Sequence, residues 1–571
     1  MELGVVGSGP AFEALQAACE DVDLSVQQYK PTALGDSGGL PPTGAVVAPA
    51  GARVFEAATT TFERWVAVEI GGVGGRALEA IDATVSLYEP EAGCYQCLCR
   101  RVAANADSEP AESARGSRSE VRLAGAVAGR ELIGLLAGDR SGGRVIEIPW
   151  RERRLLAVPG CECEQSRPDR QVSLSYRSVG LEDALARGET AVDDRLGLLS
   201  QVGERESFPV PYYIAQTADT SGFSDVQAAQ FAAGVDADWN RSYMKAIGEG
   251  LERYCAGVYR RSDLRGRSEQ TLANPVSPQR FVRPESHEHP DSQDRLEWID
   301  GVDLQTGQEV TLPAEFVCFP PLTRRYRPAI TTGLGLGNST LEAVLSGLYE
   351  VIERDGTMIG WYSTFEPLGL TLEDAVFADL EKRASAESLT VTPLLVTQDI
   401  DIPVVAVAVH RDGEWPNFAI GSGANLDPTA AARSALAEAL QNWMELRAMG
   451  SDQAAEEKAA IGEYADFPEP AQQLVDLETR IPIDSLGEPD LSGEPELEAV
   501  CERLAAVGLD SYAARLTTRD VEALGFEAFR VVVPSAQPLF TGEPYFGERA
   551  RSVPESLGFE ADLARPYHPY P

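Results

Sequence analysis

The sequence predicts an α/β (α+β) protein: an N-terminal Rossmann-like domain, then a larger domain of mixed sheets and helices. Three observations predict it. The opening Leu3-Gly-Val-Val-Gly-Ser-Gly-Pro-Ala runs a short apolar strand into a glycine turn, and the helix-patterned Phe12-Glu-Ala-Leu-Gln-Ala-Ala-Cys follows directly. Beyond about residue 167, long helical patterns alternate with β-branched runs. With 571 residues, 43% of them hydrophobic, the chain can bury a sizeable core.

The first domain is expected over 1–166. Gly7 and Gly9 fit the first two glycines of G-x-G-x-x-G, but Phe12 stands where a third Gly or Ala would let helix and strand approach closely. The turn is therefore read as structural rather than as a dinucleotide site. Asn105 to Glu120, rich in Ser, Ala, Glu and Arg, reads as a solvated loop. In the second domain, 167–571, helices are expected from Asp238 to about Tyr259 and from Ser339, a plausible N-cap, to about Tyr362. A third runs from Asp427 to Ala448, with Pro428 at the first helical position, where its missing N–H costs nothing. Strands are expected at Pro403–His410 and Ala528–Pro534. The proline-rich stretch 262–295 reads as a long connection, and its His287 and His289 as solvated loop residues in preference to a metal pair.

Charge bounds the partners. Asp and Glu number 89 against 49 Lys and Arg, a formal net charge of -40, and only Lys30, Lys245, Lys382 and Lys458 are lysines. Such a surface suits concentrated salt, where screening acts within roughly 3 Å, so a halophile cytoplasm is preferred over an acidic tail or a cation-buffering surface. Electrostatic binding to nucleic acid or to anionic lipid is disfavoured for want of a basic face. The N-terminal residues lack a signal-peptide pattern and no apolar run reaches membrane-spanning length, which predicts a cytoplasmic protein. Five of the nine cysteines crowd into two stretches: Cys94, Cys97 and Cys99, then Cys161 and Cys163. In a cytosolic chain these are buried thiols or metal ligands rather than disulfides.

The chemistry points elsewhere. Glu249-Gly-Leu-Glu252-Arg253 and Glu350-Val-Ile-Glu353-Arg354 are two copies of E-x-x-E-R, each placing its charges on one helical face. Glu342 returns to the face of Glu353, and the third helix adds Glu438 and Gln441, with Arg433 earlier. In a Glu- and Arg-rich chain the motif also arises by chance as a solvated face. The surroundings favour chemistry: Met244, Ile247, Leu251, Val344, Leu348, Val351, Ile352 and Leu440 should pack these helices inward. Crowded carboxylates in such a place call for a cation. Hard oxygen ligands select Mg²⁺, which generally arrives with phosphate oxygens. No P-loop is present, so this would be an ATP site built from helix carboxylates.

Three segments, Lys245–Arg253, Gly337–Arg354 and Arg433–Gln441, together resemble the signature segments of the YcaO superfamily, over roughly 170–571. The resemblance implies an ATP-dependent enzyme that activates backbone amide oxygens. It places Glu249, Glu252, Glu350 and Glu353 on Mg²⁺, Asn338 and Glu342 on the nucleoside, and Arg253, Arg354, Glu438 and Gln441 at the phosphates. Arg177 stands loosely where the family often has a phosphate-binding lysine, and Lys245 replaces a common serine. The ending Arg565-Pro-Tyr-His-Pro-Tyr-Pro571 is similar to the P-x-P-x-P tail of the peptide cyclodehydratases, which lies at the active site. Pro569 and Pro571 match it and Tyr567 does not; the alternative is a frayed terminus. Trp65-Val-Ala-Val-Glu-Ile-Gly-Gly-Val-Gly-Gly with Gly93-Cys-Tyr-Gln-Cys-Leu resembles the E1-like (ThiF-type) partner domain that binds a leader peptide. That likeness implies structural Zn²⁺ on Cys94, Cys97, Cys161 and Cys163, with Cys99 an extra candidate and free buried thiols the alternative.

The implied reaction converts Cys, Ser or Thr of a ribosomally made precursor peptide into azolines at the expense of ATP. The rivals are a thioamide synthetase using sulfide with a TfuA-type partner, and a non-catalytic leader-peptide scaffold. The expected partners are the precursor peptide, a dehydrogenase or TfuA-type protein, and a second copy in a homodimer. With four histidines in the chain, His-based hydrolytic triads are poorly supported.

Overall fold

The computed structural model describes residues 2–34, 40–106, 111, 113–164, 170–456 and 460–571. The expected domain division at 166/167 therefore lies outside the described residues.

The described residues up to Arg154 build a seven-stranded sheet. Strand Glu2–Val6 enters the glycine turn and helix Pro10–Glu20 follows. Gly7, at φ 141°, is required there: a Cβ would stand 2.6 Å from the Val47 carbonyl oxygen. Strands Ser25–Tyr29, Glu2–Val6, Thr43–Pro49 and Arg64–Ile70 are parallel neighbours in that order. Ala83–Tyr88, Arg144–Ile148 and Arg151–Arg154 then extend the sheet antiparallel, a departure from the doubly wound pattern expected of a Rossmann-like domain. The described part of the expected 105–120 loop ends earlier than the sequence suggests. Ser117 accepts a hydrogen bond from the Glu120 N–H and starts helix Arg118–Ala137, which packs on the sheet beside Pro10–Glu20.

The remainder contains a six-stranded and a five-stranded antiparallel-rich sheet and a three-stranded one. The three motif helices are Trp239–Gly257, Thr340–Trp361 and Pro428–Met449. Each begins where the sequence puts its cap: Asp238, Ser339 and Asp427 accept backbone N–H bonds, a contribution of about 1 kcal/mol apiece. Ile247, Leu251, Val344, Leu348, Ile352 and Leu440 are all at most 1% exposed, so the apolar faces point inward as their spacing predicts, whereas Met244 is half-buried. Strands Val404–His410 and Glu527–Val532 are central members of their sheets. The 262–295 connection is less irregular than expected. Strand Arg265–Ser268 pairs antiparallel with Arg295–Asp303, because Trp298 is buried under that edge and donates from its ring nitrogen to the Arg267 carbonyl. Mixed α/β architecture is thus what the chain adopts.

Candidate functional site

The acids of all three motif helices meet at one place. The first helix delivers Glu249, Glu252 and Arg253; the second delivers Glu350, Glu353 and Arg354; the third delivers Glu438. Strand Phe418–Ala424 joins the last two sets: Ser422 donates its hydroxyl to Glu353 Oε1 at 2.7 Å and its N–H to Glu438 Oε2 at 2.6 Å. That strand lies close enough to the third helix only because residue 421 is glycine, where a Cβ would stand 2.4 Å from the Ala435 carbonyl oxygen. Backbone N–H groups fix two more carboxylates. Ala233 N–H donates to Glu249 Oε2 at 2.8 Å, and Gly333 N–H to Glu350 Oε2 at 3.0 Å.

Cations are outnumbered. Arg253 donates to Glu249 at 2.8 Å and stands 3.7 Å from Glu252, while its Nη1 has no hydrogen-bond partner among the described residues. Arg354 stands 3.6 Å from Glu353. Five glutamates therefore face two arginines of their own helices, and the carboxyls respond. Burial, with Glu350 and Glu249 nearby, pushes Glu252 up to about 8 despite Arg253. Burial and the Glu353 charge push Glu438 up to about 7, and burial raises Glu353 too. Burial opposes the charge on Arg354, but Glu353, Glu438 and Glu350 outweigh it and hold its pKa high. Strand residue Arg530 joins from outside the motifs; burial and the neighbouring Arg327 pull it down to about 9, while Glu350 and Glu252 favour its charge. The set holds more carboxyls than its own arginines can pair, and carboxylate oxygens are the donors a hard divalent cation takes, although among the described residues no three of them lie within 4.8 Å of one another.

A cleft of about 380 Å³ opens on two of these acids, Glu249 and Glu252, and is bordered further by Gly337, Asn338, Glu342 and Phe526. At its rim Glu342 Oε2 accepts from the Asn338 backbone N–H at 2.8 Å and from its side chain at 3.2 Å. Arg177 is placed here, donating to the Asn338 and Gly525 carbonyls at 2.8 and 3.0 Å. Arg187, which the sequence did not single out, donates to the Asn338 side-chain oxygen and lies 4.8 Å from the Phe526 ring. Lys245 pairs with Asp236 at 2.8 Å. Gln441 donates to Glu445 at 2.9 Å and makes no direct bond to the acid cluster among the described residues. Arg433, earlier on the third helix, turns away from the acids to bind Asp374.

The last residues are pinned rather than frayed. Trp361 donates to the Pro566 carbonyl at 2.8 Å, the Tyr567 hydroxyl donates to the Phe540 carbonyl at 2.5 Å, and His568, Pro569 and Tyr570 are buried. Arg354 Nη1 donates to the Pro571 carbonyl oxygen at 2.8 Å, which puts the tail beside the acids. A chain ending at Pro566 is expected to keep nucleotide-analogue affinity within a few-fold and to lose ATP turnover. Isothermal titration beside an ADP-release assay checks this.

The cysteines form a second constellation. Cys94 lies 3.8 Å from Cys97 and 3.6 Å from Cys161, Cys97 lies 3.5 Å from Cys163, and all four sulfurs fall within 4.8 Å of one another. Four sulfurs at 2.3 Å around one tetrahedral zinc would be spaced by about 3.8 Å, so the donor set fits. Cys99 is not among them. His287 and His289 belong to no metal-holding group among the described residues.

Among known proteins, a family model described as YcaO cyclodehydratase, ATP- and Mg²⁺-binding, matches residues 233–537. A protein of Methanothermobacter thermautotrophicus is 28% identical over 389 residues, covering 61% of this chain and 91% of its own. A protein of the tfuA 3′ region of Rhizobium leguminosarum bv. trifolii is 26% identical over 287 residues, covering 47% and 66%. The solved structure of a heterocyclase in complex with substrate and cofactor superimposes with a TM-score of 0.73 at 17% identity, over 98% of this chain and 83% of that one. The YcaO protein of Methanopyrus kandleri, bound with AMPPCP and Mg²⁺, does so with a TM-score of 0.50 at 22% identity, over 65% and 98%. No helix among the described residues is long and apolar enough to cross a membrane.

Proposed function

Because this chain belongs to the YcaO family, we propose that it is an ATP-dependent cyclodehydratase that converts Cys, Ser or Thr of a ribosomally made precursor peptide into azolines. The observation that carries the reading is the convergence of Glu249, Glu252, Glu350, Glu353 and Glu438, with fewer arginines than acids and with Glu249 and Glu252 bordering a cleft. Glu249, Glu252, Glu350 and Glu353 would hold Mg²⁺, which supplies charge neutralisation on the triphosphate. Asn338 and Glu342 would hold the nucleoside at the rim, and Arg253, Arg354 and Glu438 the phosphate end. The substrate's side-chain nucleophile adds to the preceding carbonyl carbon, and the resulting oxygen attacks the γ-phosphorus of ATP as the bond to ADP breaks. Phosphate then leaves with the amide oxygen as the ring C=N forms and the nitrogen gives up its proton. A carboxyl near neutrality, such as Glu438, or the tail suits those proton movements.

Residues 1–166 act in this reading as an E1-like leader-binding or docking domain with a structural Zn²⁺ on Cys94, Cys97, Cys161 and Cys163. Four thiolates this close cannot all ionise without a cation. About one zinc per chain is expected by elemental analysis, and Cys97→Ser should lose it together with several degrees of melting temperature. Full metal content in Cys97→Ser, or none in the native protein, overturns the site.

The test of function is ATP consumption with a Cys-, Ser- and Thr-containing precursor. Loss of one water per modified residue supports cyclodehydration. The match to a protein from the tfuA region favours one second reading, thioamide formation with sulfide and a TfuA-type partner, which would exchange oxygen for sulfur instead. ATP consumption with neither mass change defeats both.

A further inference from the structure

Two clefts lie toward opposite ends of the second motif helix, and the nucleotide proposed above would occupy one. The second motif helix lays them out in order. Asn338 and Glu342 border the first cleft, Glu350, Glu353 and Arg354 hold the middle, and Gly360 and Trp361 line the second. At 1.5 Å per residue, Glu342 lies about 16 Å before Glu353 along the axis and Trp361 about 12 Å after it. The second cleft, of about 610 Å³, runs between residues 360–368 and 473–479 and is floored by Trp361 and Tyr570. Tyr570 links it to the chemistry: the residue after it, Pro571, accepts from Arg354 Nη1 at 2.8 Å beside the acids.

The charge of this cleft is one-sided. Glu366, Asp476, Glu478 and Asp562 line it against a single cation, Arg565. That guanidinium lies 4.1 Å from the Trp361 ring centroid and donates to the Trp361 carbonyl at 2.9 Å, so it is turned onto the protein. None of the four acids has an ion-pair partner among the described residues. Four acids to one base exceeds the 89 to 49 of the whole chain, so the cleft is acidic beyond the general surface.

We propose that this second cleft receives the acceptor peptide and favours segments flanked by basic or neutral residues over acidic ones; the inference rests on the ATP-dependent amide activation proposed above. Phosphoryl transfer is in line, with the attacking and leaving oxygens on opposite sides of the phosphorus. A peptide oxygen presented from the second cleft would meet the γ-phosphoryl from the side opposite the first cleft, on the flank where Pro571 rests against Arg354. The new P–O bond forms there, and ADP departs toward the first cleft with the bonding electrons. Trp361, Phe365 and Tyr570 give an apolar wall, while Gln473 and Thr479, both exposed, offer hydrogen bonds to a peptide backbone.

Two fluorescein-labelled peptides, Gly-Lys-Gly-Cys-Gly-Lys-Gly and its glutamate-for-lysine counterpart, can be titrated into the full chain by anisotropy. Mg²⁺ and a non-hydrolysable ATP analogue are present at physiological ionic strength. The lysine peptide is expected to bind about tenfold tighter, a preference that shrinks as salt rises. Asp476→Lys with Glu478→Lys, both on exposed positions, should abolish or invert the preference. Thr479→Trp, which fills the cleft from an exposed position, should weaken both peptides about tenfold while leaving analogue affinity unchanged. Equal affinity for the two peptides, no binding of either, or indifference to these substitutions overturns the inference while analogue binding leaves the ATP reading standing. Failure of the native protein to bind the Mg²⁺-analogue overturns both.

Discussion

Replacing Glu252 with glutamine is expected to lower ATP turnover by a factor on the order of 10³ while making the nucleotide-free protein more resistant to heat above pH 8. The two effects share one cause. Glu252 sits 3.7 Å from Arg253, within range of Glu249 and Glu350, and burial with these neighbours raises its carboxyl to about 8 from an ordinary 4.5. The folded state thus holds this proton more tightly than the unfolded chain. Between pH 4.5 and about 8 the native form binds more protons, so stability falls as pH rises through that window and levels off above it. Glu353 and Glu438 are shifted in the same direction and add to the slope. Glutamine cannot ionise, so the variant escapes the cost of a buried charge and loses part of this pH dependence, but it also loses a ligand for the cation. Melting curves across this pH range, with and without Mg²⁺-ATP, test both halves. Stability that rises with pH over the window in the native protein, or turnover within tenfold of native in the variant, contradicts the account.

Substituting Asp520 with alanine should cost about 3–5 kcal/mol of stability. Asp520 and Arg101 form an ion pair in which both side chains are 0% exposed, and Asp520 also accepts from the buried Tyr254 hydroxyl at 2.7 Å. Alanine would leave the Arg101 charge in the interior with no anion, held by the Leu156 carbonyl, the Tyr254 oxygen and the Phe223 ring face. The site of the loss matters as much as its size. Arg101 lies on helix Tyr95–Ala104 with Cys97, Tyr254 follows Arg253 on the first motif helix, and the neighbouring Arg519 donates to Cys163 at 3.6 Å. A short segment thereby ties the cysteine cluster to the helix that carries Glu249 and Glu252. Nucleotide affinity should fall along with the denaturation midpoint. Adding Arg101→Met to Asp520→Ala should recover part of the stability, since the stranded charge is gone; a double variant no more stable than the single one rules out this explanation.

Much of the site was legible because helical spacing is local. The E-x-x-E-R copies, their caps at Asp238 and Ser339, and the apolar faces beneath them all lie within a few turns, so the sequence states which side chains share a face and that the face turns inward. The same holds for the paired cysteines, whose two stretches were visible in the spacing, while their meeting across 66 and 67 positions was implied by the family resemblance and not by the spacing. What escaped has no local signature. Ser422 is 69 positions from Glu353, and Arg187 is 151 from Asn338; neither stands in a motif. Arg530 was read only as a member of the strand expected at Ala528–Pro534.

By itself, the sequence determined the helices, their one-sided carboxylates, the cysteine spacing and an acidic chain ill-suited to polyanions. Tertiary structure alone decided which strand would bridge Glu353 to Glu438, that Arg433 would leave for Asp374, and that Pro571 would come to rest against Arg354. The reason is physical. Which residues share a helical face follows from 3.6 residues per turn, whereas the partner a buried charge finds depends on how whole sheets and helices pack, and that packing is fixed by the sum of many distant apolar contacts.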